Sequence, residues 1–498
     1  MKTLNNYYKL LPFRFKRFGE YVLLTNEVGD YYFLSDRDFE SFIDRTFDKN
    51  CADFLNLKAK NFLYNHSLPK IIDHLSTKYR TKNKFLYDFT SLHMFVITRR
   101  CNQRCDYCHA SSISDTSHNS NDMNKNTARK SVELALQSPA KTIKIEFQGG
   151  EPLLNFDILK DIVEYAHKIN ESKKKKLEFV ICTNLVGLKT EYIDFFKTEN
   201  IMVSTSLDGP KDIHDSCRKL RNGKGSYDAV VSNLQWLQEE IGFDNISALM
   251  TVTPYNLNRL KEVVDEYLSH NLQSIFIRRM NPFGYAYERR ENIFYEIEEF
   301  LVSYKYALDY IIKINRDGTH FPEVMAEILL SRILTPFSTG FVDLQSPAGT
   351  GISGVVYDID GSVFVSDEAR MLFRTTADRR FCIGNVHSNS WKEIFCSSNL
   401  KDIISNSCID SIPGCSWCAY KPYCGGDPVK NFFLQGDMVG HRATNDFCKE
   451  HMSLFDKLFD CLRNGNGEVE DVFWSWITHR SLDEIKNFSG QTHIEEYS

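Results

Sequence analysis

Residues 93–108 read HMFVITRRCNQRCDYC, a short apolar stretch that leads directly into three closely spaced cysteines. Its first six residues favour β structure and predict a strand over 93–98. Five similar stretches follow, separated by polar loops and helical patterns, at 142–147, 178–183, 201–206, 248–252 and 274–279. Strands that alternate with helices predict right-handed βαβ units, and therefore an α/β fold with a parallel sheet or barrel.

Polar groups follow four successive predicted strands at the point where each strand ends. They are the cysteine loop after the first strand, Gly149-Gly150-Glu151-Pro152 after the second, Thr183-Asn184 after the third and Ser206–Gly209 after the fourth. The carboxyl ends of parallel strands meet at one edge of a sheet, where α/β enzymes carry their functional groups. We therefore expect an active site at this edge.

The first cysteine group has the spacing C-x3-C-x2-C, formed by Cys101, Cys105 and Cys108. Three thiolates on one loop can hold three irons of a cubane cluster, which usually takes four cysteines. The missing fourth ligand leaves one iron open to a small molecule. A zinc site or a disulfide is the alternative for this triplet. Gly149-Gly150 directly after a strand lets the backbone approach a ligand closely.

With these motifs, residues 93–285 resemble the core of radical S-adenosylmethionine (SAM) enzymes, a partial (β/α)6 barrel. The triplet matches the family motif that binds a 4Fe–4S cluster, and GGEP matches the motif that holds the SAM amino group. Residues 206–228 resemble the corresponding stretch of peptide-modifying members. The resemblance implies reductive cleavage of SAM to a 5′-deoxyadenosyl radical that abstracts a substrate hydrogen. The SAM contacts that it implies are Tyr107, Gly149, Gly150, Glu151, Pro152, Asn184, Ser206, Asp208 and Arg218.

The C-terminal cysteines resemble the SPASM extension of the same superfamily, which normally carries two auxiliary 4Fe–4S clusters. Ser346 and Ser366 stand where two ligands of the first auxiliary cluster are expected, and Gly-Gly-Asp-Pro over 425–428 lacks a third. The resemblance thus implies one auxiliary 4Fe–4S cluster. Its ligands would be Cys415, Cys418, Cys424 and Cys448. A zinc ribbon is the alternative, and Cys382 or Cys408 could complete a partial first site.

Asp367 is the candidate catalytic base. Some SPASM-type maturases use an Asp directly after a first-cluster cysteine, and Asp367 follows Ser366 at the matching position. A carboxylate in a closed site can have a raised pKa, which suits a base near neutral pH. The alternative is a structural carboxylate paired with Arg370 or Arg374.

The N-terminal segment predicts a β-hairpin around 27–30 and a helix over 35–42. Residues 10–39 resemble the start of a maturase of the His-Xaa-Ser repeat system, and the layout is reminiscent of precursor-peptide recognition domains. The expected organisation is a peptide-recognition domain (1–85), a radical SAM core (86–290), a helical linker (291–340), a SPASM/twitch-like cysteine-rich domain (341–465) and a polar tail (466–498).

Composition excludes several classes of function. The chain has 498 residues and a net charge of −6, so it has no basic surface for nucleic acid. The absence of a run of 18 apolar residues argues against a membrane span, and the N-terminus lacks the pattern of a secretory signal, so we expect a cytoplasmic protein. Fourteen cysteines in such a chain indicate metal or redox chemistry.

The expected function is radical modification of a precursor peptide or protein. The expected partners are that substrate, a low-potential electron donor of the flavodoxin or ferredoxin type, and a second maturase. One alternative is an anaerobic sulfatase-maturase-like activity that oxidises Ser or Cys to formylglycine. The other is a non-catalytic iron–sulfur or zinc protein that binds a peptide.

Overall fold

The computed structural model describes residues 8–65, 67–116 and 119–492, and its centre is a nine-stranded sheet. Numbered by their order in the chain, the strands of this sheet are β1 (Leu92–Thr98), β2 (Thr142–Gly149), β3 (Lys176–Cys182), β4 (Ile201–Ser206), β5 (Ile246–Val252), β6 (Phe276–Arg279), β7 (Gly354–Tyr357), β8 (Ser362–Phe364) and β9 (Cys382–Asn385). Across the sheet they lie in the order β6-β5-β4-β3-β2-β1-β7-β8-β9. Strands β1–β6 pair in parallel and in chain order, which is the predicted partial (β/α)6 barrel.

Alternation along the barrel strands separates an apolar outer face from a polar inner face. In β2 the buried residues Ile143, Ile145 and Phe147 alternate with Lys144, Glu146 and Gln148, which line an interior cavity. The outer face is covered by helices Lys125–Ala135, Phe156–Lys173, Thr190–Glu199, Tyr227–Ile241 and Leu260–Ser269. The barrel therefore buries its core between sheet and helices and keeps its interior for polar groups.

The C-terminal hairpin extends the barrel sheet. The sequence predicts a β-hairpin over 346–366 with its turn at 360–361. This turn joins β7 to β8, which pair antiparallel, and β7 pairs in parallel with β1. Strand β9 adds at the outer edge. The sequence predicted the hairpin but not that it would dock on the first barrel strand. Helix Asp367–Thr376 follows, and the remaining helices of the cysteine-rich region are Trp391–Phe395, Ser398–Ser407, Pro428–Gln435 and Asp446–Asn464.

Two segments differ from their expected structure. The helical linker expected over 291–340 contains helices Ile297–Arg316 and Val324–Leu334 with a non-helical break between them. Residues 467–478, expected as part of a polar tail, form a helix whose Trp476 is fully buried and donates from Nε1 to Asn315 Oδ1 at 2.9 Å. A second helix, Leu482–Thr492, follows it.

None of the helices in the described part of the chain combines the length and the apolar character needed to cross a membrane.

The N-terminal segment forms a three-stranded antiparallel sheet of Phe13–Phe18, Tyr21–Asn26 and Tyr31–Ser35, one strand more than predicted. The predicted helix is present as Asp36–Ile43, and Ser35 caps it by accepting from Asp38 N at 3.1 Å. The other elements are helices Ala52–Ala59, Leu68–Lys82 and Phe85–Asp88 and the short strands Lys9–Leu10 and Leu63–Tyr64.

This N-terminal sheet lies against the cysteine-rich loop more than 380 residues away in the chain. Thr25 Oγ1 donates to Ala419 O at 2.7 Å, and Arg14 Nε donates to Ser416 O at 2.6 Å. In the other direction, Tyr423 OH donates to Gly29 O at 3.0 Å. The segment has an apolar core of its own but is joined to the second cysteine group by buried hydrogen bonds.

Candidate active site

A cavity of about 1060 Å³ occupies the barrel interior. At the carboxyl edge it is lined by the Cys101–Cys108 loop and by the ends of β2–β4. Residues 243–247 and 273–274, at the start of β5 and β6, line its opposite end. Residues 365–368, directly after β8, close one side. The cavity therefore runs the length of the barrel. One of its ends lies at the carboxyl edge of the strands, where the sequence predicts the active site.

The three cysteines of the first group, Cys101, Cys105 and Cys108, all line this cavity. Their loop is braced because Gln103–Cys105 pairs antiparallel with the short strand Arg218–Leu220. Burial raises the pKa of the Cys105 thiol to about 12, and the Arg218 guanidinium partly offsets this. Burial and the neighbouring Cys105 also raise the pKa of Cys101. Three thiols facing one cavity beside a cation fit the soft donor set that an iron–sulfur cluster requires.

Gly149 and Gly150 line the cavity and also pack against the chain that enters the cysteine loop. A Cβ at Gly149 would lie 2.2 Å from Thr98 O, and one at Gly150 would lie 2.2 Å from Arg100 O. The turn is tied to the same segment because Glu151 N donates to Arg100 O at 2.7 Å. The glycines therefore serve the packing of the cluster loop as well as access to a ligand.

Glu151 and Pro152 lie behind the cavity wall and do not line it. The Glu151 carboxylate, 1% exposed, accepts from Leu153 N at 3.1 Å, Thr183 Oγ1 at 2.7 Å and Asn184 N at 2.8 Å. Burial raises its pKa to about 7. The side chain joins the GGEP turn to the end of β3 and so positions both, and its contact with SAM stays a prediction.

Asn184 and Ser206 line the cavity, and their contact with SAM stays a prediction. Asn184 Nδ2 donates to Asn102 Oδ1 at 2.8 Å and lies 3.7 Å from Cys101 Sγ. Asn184 thus connects the end of β3 to the cysteine loop.

Asp208, Arg218 and Tyr107 form a buried ion-paired group at the end of β4. Asp208 is fully buried and accepts from Arg218 Nε at 2.9 Å, Tyr107 OH at 2.5 Å and Thr251 N at 3.1 Å. Arg218 and Tyr107 line the cavity, whereas Asp208 does not. Asp208 therefore holds the two side chains that face the ligand space, and Arg218 Nη1 lies 3.9 Å from Cys105 Sγ.

Asp367 lines the cavity from the first turn of helix Asp367–Thr376, together with Ser366 and Glu368. Its Oδ1 accepts from Arg370 Nε at 2.8 Å, one of the two pairings considered from the sequence. Arg374 pairs instead with Asp358. Asp367 therefore has both the structural partner and the access to the cavity.

Several polar residues of the cavity were not predicted. His109 follows Cys108, and burial lowers its pKa to about 4. Glu146, Cys182 and Arg278 stand on β2, β3 and β6, and Glu368 pairs with Arg278 at 3.5 Å. The available signal was a charged residue at an inward position of a β-favouring stretch, as at Glu146 and Arg278.

The second cysteine group comes together from two segments. Cys415, Cys418 and Cys424 lie on one loop, and Cys448 lies in the first turn of helix Asp446–Asn464. Burial together with the charges of the other three cysteines raises the pKa of Cys424 to about 12, so the four side chains are electrostatic neighbours.

The described residues contain no group of three or more His, Cys, Asp or Glu side chains that could hold a metal ion. A cubane cluster differs from an ion because each cysteine binds its own iron.

The positions at which the SPASM pattern would place ligands of the first auxiliary cluster have protein partners. Ser366 caps helix Asp367–Thr376 by accepting from Ala369 N at 3.2 Å. Ser346 donates to Asp410 Oδ2 at 3.1 Å and accepts from Ile409 N at 3.1 Å. Asp427 caps helix Pro428–Gln435 through Lys430 N at 2.9 Å. Cys382 Sγ contacts Gly384 O at 3.5 Å, and Cys408 Sγ contacts Asp410 Oδ2 at 3.7 Å.

Comparison with known proteins agrees with this geometry. Residues 95–267 match the model of the radical SAM superfamily. A cysteine-type anaerobic sulfatase-maturating enzyme of Clostridium novyi (strain NT) is 24% identical over 380 residues, which cover 74% of this chain and 95% of that protein. Native anSMEcpe with bound AdoMet has a TM-score of 0.61 at 20% identity and covers 75% of this chain and 98% of its own. SuiB of Streptococcus suis, bound to its precursor peptide SuiA, has a TM-score of 0.53 at 13% identity, and the match covers 89% of this chain and 100% of the SuiB chain. The two solved structures share the fold of this chain.

Proposed function

This chain carries a radical SAM domain over residues 95–267 and is a radical SAM enzyme, and we propose that it modifies a ribosomally made precursor peptide or protein. The observation that carries the proposal is the single cavity onto which the cysteine loop, the glycine turn and Arg218 all face. Its volume of about 1060 Å³ is at the upper end of the range for sites that enclose a whole small ligand. Room for a substrate side chain beside a bound cofactor is thus available.

SAM and a 4Fe–4S cluster, when bound, supply the radical that removes a hydrogen atom from the substrate. In this proposal Cys101, Cys105 and Cys108 hold the cluster. The six predicted SAM-contacting residues that line the cavity would bind SAM, and Glu151 and Asp208 position them. The set is Tyr107, Gly149, Gly150, Asn184, Ser206 and Arg218.

A peptide substrate is supported by two independent features. The relatives include SuiB, which was solved with a precursor peptide, and a sulfatase-maturating enzyme that matches over 95% of its length. In this chain, Phe13–Phe18 and Tyr31–Ser35 are the outer strands of the N-terminal sheet. An outer strand can bind an extended peptide by strand addition. We therefore propose residues 1–85 as the unit that recognises the leader of the substrate.

The other units keep their expected roles in this proposal: 86–290 for radical chemistry, 291–340 as helical support and 341–465 for the auxiliary cluster. Residues 466–498 are assigned a structural role because Trp476 is buried. A flavodoxin- or ferredoxin-type donor, a second maturase and a cytoplasmic location complete the proposal.

Asp367 is proposed as the base that takes the proton released when the substrate is oxidised. Its support is that it lines the cavity next to Ser366. Asp367→Asn keeps the shape and removes the basicity. We expect product formation to fall by roughly 10²-fold or more, the usual scale for a lost base, with iron content and SAM cleavage retained. Asp378→Asn, which changes a carboxylate near an exposed helix end, is the matched control; equal single-turnover yields for both variants would leave Asp367 structural.

The test of the whole proposal is an anaerobic assay of reconstituted full-length protein with SAM and a reductant. We expect 5′-deoxyadenosine, and a mass change in a co-expressed small peptide, both absent when Cys101, Cys105 and Cys108 are replaced by Ala. A protein that binds iron but forms no 5′-deoxyadenosine supports the non-catalytic alternative. Formylglycine in a Cys- or Ser-containing sulfatase peptide supports the sulfatase-maturase alternative, which the match to the Clostridium novyi enzyme favours as the second candidate.

A further inference from the structure

Two buried cations, Arg332 and Lys82, lie behind the loop that carries the second cysteine group. Each is 6% exposed. Arg332 belongs to helix Val324–Leu334, and Lys82 is the last residue of helix Leu68–Lys82. Two elements from distant parts of the chain thus deliver positive charge to one buried place.

Both cations contact Tyr423, the residue before Cys424. Arg332 Nε donates to Tyr423 O at 2.5 Å. Lys82 Nζ donates to Arg332 O at 3.0 Å and lies 4.9 Å from the centre of the Tyr423 ring. The turn of the N-terminal sheet closes over Lys82 and the Tyr423 ring, since a Cβ at Gly29 would lie 2.4 Å from Lys82 Nζ and 3.1 Å from Tyr423 Cε1.

Neither cation has a carboxylate partner among the residues that the structure describes. The titratable group that acts on Arg332 is Cys424, which favours the charged form of Arg332 when it is a thiolate. Asp30 acts on Lys82 from a distance but forms its own ion pair with Lys78 at 2.6 Å. Burial lowers the pKa of Arg332 to about 10. Burial lowers the pKa of Lys82 to about 7, and the charge of Arg332 acts in the same direction.

A buried cation without a counter-charge is strongly unfavourable, because its lost hydration is not replaced. Other buried cations of this chain are paired: Arg370 with Asp367 and Arg218 with Asp208. The neighbour that Arg332 does have is a proposed cluster ligand. A 4Fe–4S cluster held by four thiolates is an anion, and one-electron reduction adds a further negative charge.

We propose that Arg332, supported by Lys82, is the buried counter-charge of the auxiliary cluster on Cys415, Cys418, Cys424 and Cys448, and that it raises the reduction potential of that cluster. This inference rests on the proposed auxiliary cluster. The physical reason is that the net charge around a cluster and its exposure to solvent set its potential, and a desolvated cation favours the more negative reduced state. Arg442, a cation near Cys415 and Cys448, is only half-buried, so solvent screens its effect.

The test is a potentiometric titration, followed by electron paramagnetic resonance, of the full chain with Cys101, Cys105 and Cys108 replaced by Ala. In that background the auxiliary cluster is the iron–sulfur signal to be followed. We expect Arg332→Met to lower the reduction equilibrium constant at least tenfold, a shift of 59 mV for one electron. The reduction equilibrium constant of Arg332→Lys should stay within threefold of the parent value. Lys82→Met should shift this constant in the same direction as Arg332→Met.

Two matched controls separate local from general charge effects. Arg316→Met removes an exposed cation paired with Glu468 and should leave the potential unchanged. Arg442→Met should shift it less than Arg332→Met. If Arg332→Met binds a normal amount of iron and its cluster has the same reduction potential as the parent, the role of Arg332 is overturned while the auxiliary cluster stands.

Loss of iron also decides the question. Iron lost in Arg332→Met but kept in Arg332→Lys supports charge compensation, whereas iron lost in both variants overturns it in favour of a packing role. A Cys101, Cys105, Cys108 triple-alanine protein that binds no iron overturns the auxiliary cluster itself, and the role of Arg332 with it.

Discussion

Replacing Asp208 with Asn should destabilise the barrel more than any other single carboxylate-to-amide change at the rim. Asp208 is fully buried, and it pairs with an Arg218 side chain that is 10% exposed. The substitution keeps the volume but leaves the guanidinium without its counter-charge. Removing one partner of a buried pair costs about 3–5 kcal/mol, a large part of the roughly 5–15 kcal/mol that stabilises a folded protein.

The measurement is urea unfolding of the metal-free full chain, followed by circular dichroism. Asp212→Asn is the matched control, because Asp212 pairs with Arg259 at 2.5 Å but is 66% exposed, and exposed pairs contribute little. Asp208→Asn combined with Arg218→Met should recover most of the lost stability, since the pair is then removed as a whole. The reasoning is refuted if the free energy of unfolding of Asp208→Asn lies within about 1 kcal/mol of the parent value. It is also refuted if the double variant is no more stable than Asp208→Asn.

Three further outcomes follow from the same structure. Burial raises the pKa of Glu323 to about 7 from 4.5, so the folded state holds this proton to higher pH than the unfolded state does. The free energy of unfolding should therefore fall as pH rises between about 4.5 and 7. Glu323→Gln should flatten this dependence of unfolding free energy on pH by up to one proton, and an unchanged dependence contradicts the assignment. Gly150→Ala should lower iron at the first cysteine group as well as SAM affinity, because its Cβ would lie 2.2 Å from Arg100 O; normal iron with weaker SAM binding alone would contradict this. The wild-type protein should hold about eight irons after reconstitution. Deletion of residues 1–85 should remove about half of them, because the N-terminal sheet covers the cysteine-rich loop at Tyr423. About eight irons in the truncated protein would show that this loop binds its cluster independently of the N-terminal sheet.

Local patterns were sufficient for the elements that carry the chemistry. Six β-favouring stretches became six parallel strands in chain order, and the helix predicted over 35–42 is present with Ser35 as its cap. The cysteine triplet and the glycine turn share one cavity because the carboxyl ends of parallel strands share an edge. Spacing and periodicity determine these features, since each depends on neighbours within a few residues or on the handedness of the βαβ connection.

Periodicity states that a face is buried but not which partner covers it. For this reason the docking of β7 on β1, the burial of Trp476 and the contact of the N-terminal sheet with the cysteine-rich loop were not predictable. The same holds for side-chain roles at the site: GGEP identified Glu151, but three hydrogen bonds from Leu153, Thr183 and Asn184 place it behind the cavity wall.

The amino-acid sequence alone thus determined the barrel, the edge at which its polar groups meet and the two cysteine groups, through motifs whose residues are close in the chain. The tertiary structure decided which side chains face the cavity and which hold them, and it brought Lys82 and Arg332 to the back of Cys424. The physical reason is that desolvation and charge pairing act between side chains hundreds of residues apart, and their strength depends on distance and burial rather than on position in the chain.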